Sequence, residues 1–526
     1  MNKNCVQRLL AAFLLLFSIG SMASDFDRED YVQLTNIPSC YIETFDHGDI
    51  VSKIDYKYCR FIIVKENVIE KYDSVQIRGR GNASWDFEKK PYRIKFKEKQ
   101  RLLGKEHANA RSWVLLSNGG EKLLFRNGLA NFVSKLCKMP FTPSTEFIDL
   151  YLNGEYKGNY QITDFVEIRK HRVDIEEMEV PSLDEQTDIT GGYLLEVDYR
   201  TDDGKTYIKS PVYNNNIRIH SPEPEYINKS QIQYIRNKIG EFEETLISDD
   251  YTNPQHGWYQ FVDSASFMGW YLTNEICSNC DMFAQIYFYK QRGDDKFYFS
   301  PVWDFDLGFN DDNRRGNAGD VSEYLMQDIE FGSKYYKEWF DRITSDPWWI
   351  HAQYEAFKKL YVEQNLDSMM NAYVDSVVSY MKPSIEENYK VWSISKQTHL
   401  EYKLYSTYDQ YVEDLRSFIK IHNAYIFNEF KKRIEGTNGI RKVILPENNA
   451  SVDYMLSYNK GDKCLHFLSS QSDKLTFRVN VFSLTGKSLG KFSGSEDFDV
   501  RDLPNGTYIV SWKDGKRNHS VKFIKK

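Results

Sequence analysis

Three groups of residues in this chain have the types and spacing that phosphoryl transfer uses. Gly79-Arg80-Gly81-Asn82-Ala83-Ser84 reads GxGxxS. Glycines at such a turn let backbone N–H groups approach the phosphates of a nucleotide. Lys90, Arg93 and Lys95 follow on a basic stretch, where a phosphate-pairing cation belongs. Asp281, Asp304 and Asp306 make the third group. Transfer to a hydroxyl needs one carboxylate to orient the nucleophile and accept its proton. It needs another to hold the Mg²⁺ that bridges the phosphates. Asp281 suits the first role and Asp304 the second, while Asp306 suits either a further ligand or a helix cap. Gln285 fits an amide ligand or an ordinary surface position. Each group also has a plainer explanation: a hairpin with a solvated basic face, and aspartates as turn residues.

These residues need elements to position them. Ser74–Ile77 and Tyr92–Phe96 read as strands on either side of the glycine turn, so the motif joins two strands instead of opening a helix. That is the arrangement of a kinase glycine-rich loop over ATP. Alternation puts Arg93 and Lys95 on one face, with Tyr92, Ile94 and Phe96 on the core face. Asp281 and Asp304 flank a second pair of strands, Ile286–Lys290 and Lys296–Ser300, so one hairpin brings both toward one cleft. Asp304-Phe305-Asp306 mimics the Asp-Phe-Gly of protein kinases.

Further strands are expected at Tyr41–Thr44, Arg60–Val64, Trp113–Leu116, Phe147–Leu152 and Gly192–Val197. Asn153-Gly154 is a type I′ hairpin signal. Leu123–Leu136 reads as a helix. Ile232, Ile235, Ile239, Phe242 and Leu246 give another behind Ser230 as N-cap. Phe261–Cys277 and most of Trp348–Arg433 are helical too. After Gly436 the pattern turns all-β, with Leu475, Phe477, Val479 and Val481 alternating with polar residues.

The chain has 526 residues and a formal net charge of −8. That length predicts several domains, and that charge opposes a nucleic-acid partner. Lys3 and Arg8, the apolar run Leu9–Gly20 and Ser21-Met22-Ala23 have the form of a cleavable signal peptide over residues 1–23. The run is too short to span a bilayer, and no later segment predicts a transmembrane helix. Export leaves six cysteines, enough for one or two disulfides in an oxidising compartment. Cys277-Ser278-Asn279-Cys280 has CxxC spacing, but no second pair completes a zinc site, so its role reads as structural.

Taken together, the ordered blocks resemble the CotH-like kinases, a family named for a spore-coat protein. They include Ile77–Trp85, Lys89–Phe96, Trp113–Asn118, Arg126-Asn127, Asp149–Gly158, Gly192–Glu196 and Tyr287–Lys290 leading to Pro301–Asp306. The resemblance implies an α+β, atypical protein-kinase-like two-lobed domain over residues 24–440. It implies ATP and Mg²⁺ or Mn²⁺ as cofactors and an extracellular or surface protein as substrate. Asp281 falls at the family's catalytic Asp and Asp304 at its metal-binding Asp, with Asp306 beside it. Gly79, Gly81, Lys90, Arg93 and Lys95 fall in its nucleotide-contacting loop and strand. One departure is Thr163-Asp164-Phe165, where the family often has Thr-Glu-Gln. Residues 446–526 resemble a type IX secretion sorting domain, which implies a small β-sandwich, the type IX machinery as partner, and passage through the periplasm to the cell surface. A carbohydrate-binding or immunoglobulin-like module is the alternative for this tail. For the large domain the alternatives are a catalytically silent kinase-fold binding protein and a carbohydrate-active hydrolase.

Overall fold

The computed structural model describes residues 31–178, 188–313, 325, 337–398 and 400–436. Between 454 and 525 it describes seven strands with a few flanking residues. The expected signal peptide lies outside the described residues, as do Leu475 and Phe477 of the alternating run.

The first half of the chain closes into a barrel. Its strands are β1 (Ser39–Thr44), β2 (Lys57–Lys65), β3 (Val68–Gly79), β4 (Tyr92–Gln100), β5 (Ala110–Leu116), β6 (Glu146–Leu152) and β7 (Glu155–Asp164). They run in the order β1-β2-β3-β4-β5-β7-β6, and β6 closes against β1 in parallel. Period-2 patterning explains the closure. Val75, Ile77, Ile94, Phe96, Trp113, Leu115, Ile148, Leu150 and Ile162 all turn inward to one buried core. Arg78, Arg93 and Lys95 alternate with them and face outward. Asn153 and Gly154, at φ 50° and 82°, make the two-residue β6–β7 turn as a type I′ hairpin requires. Between β5 and β6 lies helix α1 (Arg126–Leu136).

A second sheet follows: β8 (Tyr193–Asp198), β9 (Thr206–Lys209), β10 (Asn216–Ser221), β11 (Gln285–Lys290) and β12 (Phe297–Phe299), in the order β12-β11-β8-β10-β9. Between β10 and β11 come α2 (Lys229–Ile247) and α3 (Ser264–Ile276). After β12 come α4 (Glu338–Thr344), α5 (Pro347–Lys358), α6 (Leu366–Val391) and α7 (Tyr408–Gly436). The inner face of this sheet and the helices share a large aromatic core that includes Phe267, Trp270, Phe288, Phe340, Trp349 and Phe430. The fold is thus mixed α and β, with seven helices and several sheets among the described residues.

The N-cap of α2 differs from the sequence expectation. It is Asn228, not Ser230. The Asn228 side chain accepts from Gln231 N at 3.0 Å, and Gln231 Oε1 accepts from Asn228 N at 2.7 Å. This capping box satisfies two helix-end groups at once, which an N-cap at Ser230 would forgo.

The tail strands are β13 (Tyr454–Asn459), β14 (Cys464–Ser469), β15 (Arg478–Ser483), β16 (Ser488–Ser493), β17 (Phe498–Asp499), β18 (Gly506–Asp514) and β19 (Arg517–Lys525). They form two antiparallel sheets, β13-β14-β17 and β16-β15-β18-β19. Cys40, Cys59, Cys137, Cys277 and Cys280 carry no disulfide.

Candidate active site

The glycine turn is shaped by what its glycines leave out. A Cβ on Gly79 would lie 2.3 Å from the Trp85 ring, so Gly79 is the space into which Trp85 folds back. Gly81 has φ +83°, and a Cβ there would meet Ser84 Oγ at 2.1 Å. A left-handed backbone at so close an approach calls for glycine. A short 3₁₀ turn, Ala83–Asp86, follows, and Arg80 N donates to Pro91 O at 3.2 Å to close the loop.

Opposite this loop lie the aspartates. Asp281 sits in the turn after α3, where Asn279 Oδ1 accepts from Asp281 N at 3.2 Å and Asp281 O accepts from Ala284 N at 2.8 Å. Asp304 follows β12 and has φ +65°, a left-handed conformation among L residues. Phe309 N donates to Cys277 O at 2.6 Å, so the Asp304 segment is pinned to the end of α3, from which Asp281 projects. The contact is made by the Cys277 backbone carbonyl, and Cys277 and Cys280 are both buried.

Helix α1 supplies the clamp. Asn127 Nδ2 donates to Asp306 Oδ1, and Asn127 Oδ1 accepts from Phe305 N at 3.0 Å. One turn of helix thereby orients both a carboxylate and the backbone beside it. Arg126 Nη2 pairs with Asp311 at 2.8 Å, fastening the loop beyond Asp306 to α1, and Arg126 Nε pairs with Glu121 of the segment before α1 at 3.4 Å.

The result is a cleft of about 390 Å³ whose lining includes Arg80, Gly81, Arg200, Asp281, Asp304 and Asp306. Asp304 is open to solvent at the cleft surface yet walled by protein. Its carboxyl is pushed up to about 7, by burial first and then by Asp306 and Asp281, while Arg80 and Arg200 oppose the rise. Burial also raises Asp306, against Asn127, Arg80 and Arg126. Three acids facing two guanidinium groups make a site that favours a cation beside bound oxyanions.

Several expected residues sit elsewhere. Gly79 acts on Trp85, as above. Lys90 Nζ donates to Trp85 O at 2.5 Å and lies 5.1 Å from that ring, so it braces the loop from behind. Arg93 stacks 3.7 Å over Phe165 and donates to Ser112 Oγ at 3.1 Å on the outer barrel face. Lys95 is exposed on that same face. None of these four lines the cleft: Gly79 and Lys90 face Trp85, and β-strand alternation turns Arg93 and Lys95 of β4 outward. Gln285 does line it.

The cations that do line the cleft, Arg80 and Arg200, were not singled out from sequence. Arg80 lies inside the GxGxxS motif, which was a signal. Arg200 follows β8 with no local motif. In the divergent segment, Asp164 is buried and accepts from Arg172 Nε at 2.6 Å and Ser144 N at 2.9 Å, a packing role.

Among the described residues no cluster of three or more His, Cys, Asp or Glu forms a metal cage, and no helix is long and apolar enough to cross a membrane. No curated protein matches the chain. Residues 77–426, well over half of its length, match the family model described as CotH kinase protein, and the matched span takes in the glycine loop, the α1 clamp and all three aspartates. The chain belongs to the CotH kinase family.

Proposed function

We propose that the chain is an active CotH-like kinase that moves the γ-phosphoryl group of ATP to a hydroxyl of a protein. The observation that carries this reading is the convergence of Asp281, Asp304 and Asp306 in one cleft facing the Gly81 loop, with Arg80 and Arg200 beside them. The acceptor oxygen forms the new bond to the γ-phosphorus, the bond to ADP breaks, and the acceptor proton passes to the Asp281 carboxylate. Arg80, Arg200 and the backbone at Gly81 neutralise and orient the phosphates. Asp304 and Asp306 are hard oxygen donors of the kind that hold Mg²⁺ or Mn²⁺ when substrate phosphates complete the shell. Their arrangement fits that use, since such ions need only one or two carboxylates from the protein. When bound, the divalent ion supplies charge neutralisation across the phosphates.

The wider reading is of an exported enzyme. Residues 1–23 act as its signal peptide, and the barrel and the helical region act as two lobes around the cleft. Residues 446–526 act as a type IX sorting sandwich. The substrate is an extracellular or surface protein. The test is autophosphorylation and ATP turnover by the mature chain with Mg²⁺ or Mn²⁺. Asp281→Asn is expected to slow transfer about 10²-fold or more while ATP still binds. An Asp281→Asn protein that transfers phosphate at the wild-type rate would remove Asp281 from the mechanism. ATP binding without any transfer would leave the silent binding protein.

A further inference from the structure

The glycine turn is held from outside the cleft by the loop that joins β1 to β2. Ser52 O accepts from Gly79 N at 2.8 Å, and Lys53 Nζ donates to Gly81 O at 3.1 Å. The Arg78 guanidinium lies 5.0 Å from the Tyr56 ring. One loop thus reaches Arg78, Gly79 and Gly81. It is ordered in turn by Ser52 Oγ, which accepts from Ile54 N at 3.0 Å and Asp55 N at 2.9 Å.

Lys53 is half-buried and makes no ion pair among the described residues. Its neighbour Asp55 accepts from Ser52 Oγ at 3.0 Å instead. The amine is committed to Gly81 O, and among the described residues no other donor reaches that carbonyl. Gly81 needs such an anchor. At φ +83° it adopts the left-handed conformation of the turn. A residue without Cβ takes either sign of φ readily, so the glycine permits this turn without fixing it.

What the anchor fixes is a peptide plane. The Gly81–Asn82 bond is trans, so its C=O and N–H point opposite ways. The carbonyl is turned to Lys53, which lies outside the cleft lining, whereas Gly81, Asn82, Ala83 and Ser84 all line the cleft. The Asn82 N–H is thereby turned to the cleft side, and no acceptor among the described residues takes it. A donor fixed in advance toward the place of an oxyanion binds it without the cost of reorganising.

We infer that Lys53 is a positioning residue for phosphate binding, which locks the Gly81–Asn82 peptide with its N–H toward the nucleotide phosphates. This rests on the kinase reading above, which supplies the phosphates. Lys53 itself stays outside the cleft and acts through Gly81.

The test compares the mature chain with its Lys53→Met variant, which keeps an unbranched side chain and removes the donor. Calorimetry measures the affinity of each for ATP and for adenosine. Lys53→Met is expected to weaken ATP about tenfold, the worth of a lost hydrogen bond, and to leave adenosine unchanged. Hydrogen exchange without ligand reads the turn through its bonded amides, Gly79, Arg80 and Trp85, which should exchange faster in the variant while β5 and β7 exchange as before. Unchanged ATP affinity overturns the role of Lys53. So does an equal loss for ATP and adenosine, which would mark general damage to the cleft, and so does a turn that exchanges at the wild-type rate. A wild type that binds ATP and loses affinity with Lys53→Met, yet transfers no phosphate, keeps the positioning role and rejects the active kinase. A wild type that transfers phosphate, with a variant that binds ATP equally well, rejects Lys53 alone. A wild type that binds no ATP overturns both.

Discussion

Asp304 is held in a strained and crowded place for a carboxylate. Its backbone is left-handed, a state that costs an L residue about 1–2 kcal/mol and that Asp and Asn tolerate better than most. Its charge is crowded by Asp306 and Asp281. Packing alone would not retain an acid there, and strain gathered with like charges is typical of a working site. Asp304→Asn keeps a side chain suited to φ +65° and removes one of three crowded charges. Its melting temperature should therefore match or exceed that of the wild type. Its Mg²⁺-dependent gain in ATP affinity should vanish, since a neutral amide is a poor ligand for a hard cation. Titrating labelled ATP with and without Mg²⁺ reads both proteins, and an equal metal-dependent gain in each would take Asp304 out of the metal site. The three aspartates could be read from sequence because they flank a recognisable hairpin. Asn127 and Arg200 could not be given their roles, because what they touch lies far along the chain and no spacing rule links them.

At the scale of elements, the strands and hairpins followed their period, but the docking of α6 on the barrel did not show in any pattern. Lys89 opens one of the ordered sequence blocks with no role assigned to it, yet it is 5% exposed. Its Nζ donates to Asn159 O at 2.6 Å and to Asn388 Oδ1 of α6 at 2.9 Å. Gly158, at φ +99°, makes room for this joint, since a Cβ there would lie 2.5 Å from Asn388 Oδ1. These partners are remote in sequence, and a buried lysine inverts the rule that lysine faces water. Burial lowers the Lys89 amine to about 7, against the pull of Glu121 and Asp149. An unfolded lysine titrates near 10.4, so between pH 7 and about 10 the unfolded chain holds a proton that the native chain has shed. Stability conferred through this site is complete above that window and is lost as pH falls toward 7, by about 1.4 kcal/mol per unit. Lys89→Met removes the linkage. Urea unfolding at pH 7, 8 and 9 should show the wild type gaining on Lys89→Met at each step. A constant difference would mean that Lys89 stays charged in the fold.

Across the whole molecule, the cleft and the tail draw on separate stretches of chain. The cleft lining runs from Arg80 to Leu400 and, among the described residues, includes nothing from the tail. Among the described residues the strands β13 to β19 pair only with one another, so a cut near Pro446 severs no described ladder of the barrel or of the second sheet. The change from helical spacing to alternation after Gly436 is where the sequence reading places this division, because period depends on local residues and needs no distant partner. What the tail does is a matter of its surface, which small β modules vary freely. We propose that it serves delivery. A chain ending near Pro446 should keep the ATP-dependent activity of the full protein but accumulate in the periplasm. A carbohydrate-binding tail predicts the opposite, unchanged export with weaker attachment to an insoluble glycan. Cells expressing each form can be fractionated and every fraction assayed for protein and for phosphate transfer. Full yield of the shortened chain in the medium or on the outer surface would refute the sorting role. Loss of activity from a shortened chain that still unfolds cooperatively would show that the cleft needs the tail after all.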